Sequence, residues 1–172
     1  MATRQVIVQR FSATSSNPFR EVVEAFEAAV GHPDMVTFDR NMAAAKTFAE
    51  VEKIVQAAIG PSGFMEFMHH DFGATLRKKN GPAAPNSMRF IVGNPLIMSR
   101  MLQHVPDTGS YAPVTILIDE RSDGVYLSYD TMASFLAPYG SSEALHVAED
   151  LDAKVKNMLM SAAGQVDEDL RL

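Results

Sequence analysis

The sequence contains no cysteine and no tryptophan. Without thiols, disulfides, thiolate nucleophiles, thiolate zinc sites and cysteine-ligated iron–sulfur clusters are excluded within this chain. No run approaches the roughly 18 apolar residues that a membrane-spanning helix needs. The opening stretch MATRQVIVQRFSA alternates in polarity and lacks the apolar core of a secretory leader. Glycine-rich phosphate loops are missing, and so is the G-x-S-x-G elbow of serine hydrolases. Cations are in deficit: 15 Lys and Arg face 21 Asp and Glu, a formal net charge of −6 that disfavours phosphate backbones. These absences lead to the expectation of a cytoplasmic protein that binds neither nucleic acid nor membrane.

What is present is a globular composition. The 172 residues are 47% hydrophobic, enough for one domain with a sizeable core. Gln5–Phe11 alternates and predicts a strand, followed by a polar loop, SATSSN. Asn17 and Pro18 then open a helix whose apolar positions Phe19, Val22, Val23, Phe26 and Val30 recur at helical spacing, until Gly31 stops it. Met35, Phe38, Met42 and Ala45 fit one face of a weaker helix. Thr47 to Glu50 has capping-box spacing ahead of a helix expected to bury Phe48, Val51, Ile54, Val55, Ala58 and Ile59. Phe64–Phe72 predicts a strand, and KKNGPAAPNS a loop that carries the solvated cations Arg77, Lys78 and Lys79.

Met88–Val92 reads as a strand running into a helix over Pro95–Val105. Val114, Ile116 and Ile118 match Val125, Leu127 and Tyr129 across an RSDG turn, which predicts a hairpin. A short helix ends at Pro138. The last helix starts at Ser141 or Ser142, with an apolar stripe from Ala144 to Ala162 and His146, Glu149, Asp152 and Lys156 on its wet side. The tail QVDEDLRL is acidic and is expected to fray. Strands and helices do not alternate regularly. The expectation is therefore a two-layer α+β fold, a mainly antiparallel sheet of about five strands with helices packed on one face. We take residues 1–172 as a single domain, with 32–60 a candidate helical insertion. A homodimer is expected to cover whatever sheet surface stays open.

The segments IVGNPLIMSRMLQHVP, YAPVTILIDERSDGVYLSYD and ALHVAEDLDAKVKNML, in this order, resemble the bacterial family known as domain of unknown function 302. The resemblance covers roughly Gly63 to Met160. It implies a small α+β domain that often pairs into dimers, and it implies no established activity. Many members carry a cysteine before the Asn-Pro pair, where this chain has Gly93, so no thiol role carries over. The stretch from His32 to Ile59 looks longer than the usual family core.

Two places could hold chemistry. At Gly93-Asn94-Pro95, Asn94 can cap the following helix and Gly93 permits close approach of a ligand or another backbone. The pair His69-His70, with Glu66 and Asp71 beside it, raises metal binding. In a regular strand, however, Glu66 and His70 lie ~13 Å apart, and only His69 and Asp71, ~7 Å apart, could share an ion. A further ligand would have to come from His32, His104 or His146. His146 and Asp150 form an i,i+4 pair of the kind usual on a solvated helix face. Tyr126, Ser128 and Asp130 alternate onto one sheet face, which is either solvent-exposed or the floor of a cleft.

The leading expectation is a homodimer that binds a small molecule through His69, His70, Gly93, Asn94 and Arg121, with no cofactor assigned. The alternatives are an enzyme with His69 or His70 as general base, a metal or haem protein using the same histidines, and a protein whose only task is assembly.

Overall fold

The computed structural model describes residues 3–165, so most of the acidic tail lies outside the described residues. Five strands form one sheet: β1 (Arg10–Ser15), β2 (Met65–Asp71), β3 (Ser87–Gly93), β4 (Val114–Arg121) and β5 (Gly124–Asp130). Their order is β1-β5-β4-β3-β2, and every neighbouring pair is antiparallel. The β4–β5 hairpin registers Ile116 against Tyr129 and Ile118 against Leu127. Its turn needs Gly124, whose φ is 149° and whose Cβ, if present, would lie 2.8 Å from the Ser15 carbonyl oxygen.

Period-two alternation gives the sheet two unlike faces. Phe90, Val92, Ile116, Ile118, Val125, Leu127 and Tyr129 turn one way and are buried. Helices α1 (Phe19–Ala29), α5 (Pro95–Leu102) and α7 (Ser142–Ala162) cover that side with Phe26, Met101, Leu151, Val155 and Leu159. Phe26 and Phe90 meet with ring centroids 4.8 Å apart. Each such large apolar side chain stabilises by roughly 1.5–3 kcal/mol on burial. The opposite face carries Arg10, Ser12, Arg89, Thr115, Leu117, Ser128 and Asp130.

Helices α2 (Met35–Ala44) and α3 (Phe48–Ala58) build a second, smaller apolar cluster of Phe38, Val55 and Ala58 around Met65 of β2. The Thr47 capping box forms: Thr47 Oγ1 accepts from Glu50 N, and Glu50 Oε2 accepts from Thr47 N. No helix among the described residues is long and apolar enough to cross a membrane.

Three local expectations are corrected. The first strand begins at Arg10, and residues 5–9 lie outside the sheet. Ser12 places its hydroxyl 3.3 Å from that of Ser128, and Ala13 and Ser15 are small enough to be buried, so a polar-looking segment pairs where the apolar one does not. The basic run belongs to helix α4 (Phe72–Asn80), not to a loop. Asp71 caps this helix at Ala74 N, and three cations sit in its last turn, where the helix dipole favours positive charge. Asp152, expected on the wet side of α7, is only 4% exposed. It accepts hydrogen bonds from the Tyr129 hydroxyl (2.6 Å) and from the amides of Met132 (2.8 Å) and Ala133 (3.1 Å), which open the short helix α6 (Met132–Leu136).

Candidate functional site

The five candidate site residues fall in four places. Gly93 and Asn94 stand at the β3–α5 junction. Asn94 Oδ1 accepts from the amides of Leu96 (2.9 Å) and Ile97 (3.4 Å), and its Nδ2 donates to the Gly63 carbonyl at 2.9 Å. The side chain is thus engaged at both ends, its oxygen in capping α5 and its nitrogen in tying the segment before β2 to that helix. Beside the junction lies a cavity of about 340 Å³. Phe38 and Met42 of α2, Phe67 of β2, Met98 and Met101 of α5, and Pro113 line it, with Gly93 and Asn94 at its edge. A Cβ on Gly93 would lie 3.1 Å from Pro113 Cβ and 3.4 Å from Phe67 Cε2, so the glycine keeps this wall thin. Asp39 of α2 is the one charged residue in the lining, which is otherwise apolar apart from Asn94.

His69 and His70 point to opposite faces of β2. A bulge between Glu66 and Met68 inserts Phe67 as an extra residue, so that Glu66 pairs with Val92 and His69 with Phe90. In a regular strand residues three apart lie on opposite faces, and the bulge returns them to the same one. Glu66 Oε1 accepts from His69 Nδ1 at 2.6 Å, and Glu66 Oε2 lies 3.5 Å from His32 Nδ1. Oε2 is buried and has no hydrogen bond among the described residues. His32 Nε2 in turn donates to the Glu27 carbonyl at 2.9 Å. In the neutral ring, a proton on Nδ1 donates to the Glu66 carboxylate, and Nε2 of this half-exposed imidazole is then the acceptor. Alternation does not reveal this cluster, because the bulge leaves no mark in the sequence and His32 arrives from a distant loop.

His70 pairs with Arg89 in register and stacks on Phe72, with ring centroids 6.1 Å apart and planes 8° from parallel. Arg121 sits at the hairpin end, where Asp119 Oδ2 accepts from its Nε at 2.7 Å and its guanidinium lies 3.9 Å from the centre of the Tyr126 ring. The Asp119 hydrogen bond raises the Arg121 pKa further, and the Asp123 carboxylate, which accepts from the Tyr126 hydroxyl at 2.8 Å, raises that of the phenol. His104 and His146 stand apart from these groups, with His146 Nε2 4.0 Å from Asp150. Among the described residues no three His, Asp or Glu side chains are arranged to hold a metal ion.

A second cavity, of about 500 Å³, lies against the polar face of the sheet. Ser128 and Asp130 form part of its floor, which places this stretch of β5 in a cleft. Arg10 and Arg89 reach it from neighbouring strands.

The family model for Domain of unknown function DUF302 matches residues 40–162. Among solved structures, the chain is similar to that of an uncharacterized conserved DUF302 protein from Bacillus stearothermophilus. The TM-score is 0.60, over 87% of this chain and 94% of that chain, at 13% sequence identity. At that identity the likeness speaks for the fold alone. No curated protein matches this chain.

Proposed function

This chain belongs to the DUF302 family, and we propose that it acts as a homodimeric domain that binds a small, mostly apolar molecule beside the Gly93–Asn94 junction. The observation that carries this reading is the cavity of about 340 Å³ framed by Phe38, Met42, Phe67, Met98 and Met101. Its size lies within the range of small-ligand sites, and its soft thioether walls can adapt to an occupant. Asn94 serves it as a rigid rim, since both ends of its amide are engaged. A second copy would pair at the outer edge of β1, the last strand of the sheet, next to the exposed Ile7 and Val8.

The neutral fluorophore N-phenyl-1-naphthylamine tests the reading. Wild-type protein is expected to enhance its fluorescence saturably, while Met98→Trp and Met42→Trp, which fill the cavity from two walls, remove the enhancement with the far-ultraviolet spectrum unchanged. Enhancement that survives both variants would overturn the proposal. Sedimentation equilibrium is expected to return twice the 18.8 kDa chain mass, and a monomer mass would remove the dimer from it.

A second reading has its own observation. The 2.6 Å bond from His69 to the largely buried Glu66 orients one imidazole as a proton acceptor, as a general base requires. Long-range ¹H–¹⁵N spectra are expected to find neutral His69 protonated at Nδ1, and Glu66→Gln to redistribute that proton. A wild-type ring protonated at Nε2 would end the general-base reading.

A further inference from the structure

The cavity on the polar sheet face is separate from the apolar one, and its chemistry is different. Strand register brings two arginines to it, and they are unequally matched. Arg10 is spent on Asp130, which accepts from its Nε at 2.6 Å and from its Nη2 at 2.8 Å. Arg89 has no carboxylate partner among the described residues, and its only side-chain hydrogen bond runs from Nη2 to Thr115 Oγ1 at 3.3 Å. Arg10 and Asp130 cancel, so the cavity keeps one positive charge in a protein whose formal net charge is −6.

The walls are aromatic. Tyr111 and Phe135 stack with ring centroids 4.7 Å apart and planes 12° from parallel, and Tyr111 is held by a 2.8 Å hydrogen bond to the Tyr139 hydroxyl. Phe72 lines the cavity as well while remaining 43% exposed, and Leu117 and Ser128 lie on the floor. A guanidinium pairs best with a planar anion that can accept two parallel hydrogen bonds. Flat apolar walls beside it select a flat apolar body. The volume of about 500 Å³ suits a small molecule.

We propose that this cavity is a binding site for an aromatic carboxylate, with Arg89 taking the carboxylate and Phe72, Tyr111 and Phe135 enclosing the ring. It is independent of the apolar cavity, which offers no free cation.

The probe is 2-naphthoate, with uncharged 2-naphthamide as its counterpart, titrated calorimetrically into the full chain. Naphthoate is expected to bind more tightly than the amide. Arg89→Gln should weaken naphthoate at least tenfold, the loss typical of a charge-assisted hydrogen bond, and leave the amide unchanged. Arg89→Lys should restore part of the affinity, which a merely structural role for Arg89 would not explain. Phe135→Ala should weaken both probes. Met98→Trp, which fills the other cavity, should leave naphthoate binding intact. Absence of naphthoate binding at millimolar concentration, or equal affinity in wild type and Arg89→Gln, would overturn the proposal. So would naphthoate binding that is lost in Met98→Trp, since that would place the probe in the apolar cavity.

Discussion

Asp152→Ala is expected to lower the unfolding free energy by about 3 kcal/mol, and the melting temperature by about 6–12 °C. The carboxylate is 4% exposed and gathers three donors from two elements: the Tyr129 hydroxyl at the end of β5, and the amides of Met132 and Ala133 at the start of α6. Truncation removes the acceptor of the Tyr129 hydroxyl and of the Ala133 amide, while the Met132 amide keeps the Tyr129 hydroxyl oxygen at 3.1 Å. Each buried donor left unpaired costs about 1–3 kcal/mol, and the total falls below the sum because water can reach the site beside Glu149 and Lys156. Tyr129 gives the same network a pH signature. Burial and the neighbouring Asp152 carboxylate push its phenol pKa well above the ordinary value. The folded state therefore holds this proton more tightly than the unfolded chain does. The resulting stabilisation is complete below about pH 10 and declines above it by up to about 1.4 kcal/mol per pH unit. Urea titrations from neutral to strongly alkaline pH should find a steeper decline in wild type than in Tyr129→Phe, which keeps only the slope of the other tyrosines. Parallel slopes, or an Asp152→Ala variant as stable as wild type, would refute the role assigned to the network.

The same carboxylate marks a boundary of what can be read from the chain. Asp152 lies among Glu149, Asp150 and Lys156, and helical periodicity alone assigns it to solvent. Only the tertiary crossing that brings α6 over α7 turns that position inward. The β4–β5 hairpin, in contrast, is legible because its alternation and its turn residue point to the same pairing, and the structure sets Ile118 opposite Leu127 and Ile116 opposite Tyr129 on one face. The Asn94–Pro95 helix start and the Thr47–Glu50 box are legible for a related reason, since both motifs satisfy backbone donors within a few residues. The first strand misleads because the β-branched run Val6-Ile7-Val8 outweighs SATS in any local reading. The pairing of Ser12 with Ser128 and the burial of Ala13 and Ser15 depend on β5, more than a hundred residues away.

Candidate site residues divide along the same line. Asn94 is legible as a cap because capping is local. The cavity beside it is not, because it forms between α2, β2 and α5, which meet only in the fold. His69 and His70 are adjacent in sequence and so belong to different faces, one bound to Glu66 and the other stacked on Phe72. Arg89 stands between Met88 and Phe90 in the otherwise apolar run Met88–Val92, where nothing local marks it as a binding group. Its significance comes from the strand register that supplies Asp130 to Arg10 and leaves Arg89 with Thr115 alone.

Gly31→Ala should be more damaging still, at about 4 kcal/mol or more, the exceptional range for a single substitution. The sequence presents Gly31 as a helix stop, but its structural burden is a backbone crossing. A Cβ there would lie 1.9 Å from the Ala58 carbonyl oxygen and 2.8 Å from Gly60 N, and a Cβ on Gly60 would lie 2.4 Å from the Val30 carbonyl carbon. These are main-chain atoms, so no rotamer change relieves the overlap. The crossing is sealed by Gly31 N and Gly60 N, which both donate to the Phe64 carbonyl at 2.9 and 2.8 Å, and by Glu66 N, which donates to the Gly31 carbonyl at 2.8 Å. Forcing the strands of this knot apart breaks those bonds together. It also displaces His32 from Glu66 and moves α2, which supplies Phe38 and Met42 to the apolar cavity. Urea unfolding followed by circular dichroism should therefore register the loss globally. Amide exchange should register it first in α2 and α3, and N-phenyl-1-naphthylamine binding should fall with the docking of that helix pair. A Gly31→Ala variant within about 1 kcal/mol of wild type, the centre of the range for ordinary substitutions, would mean that the two backbones do not cross this closely.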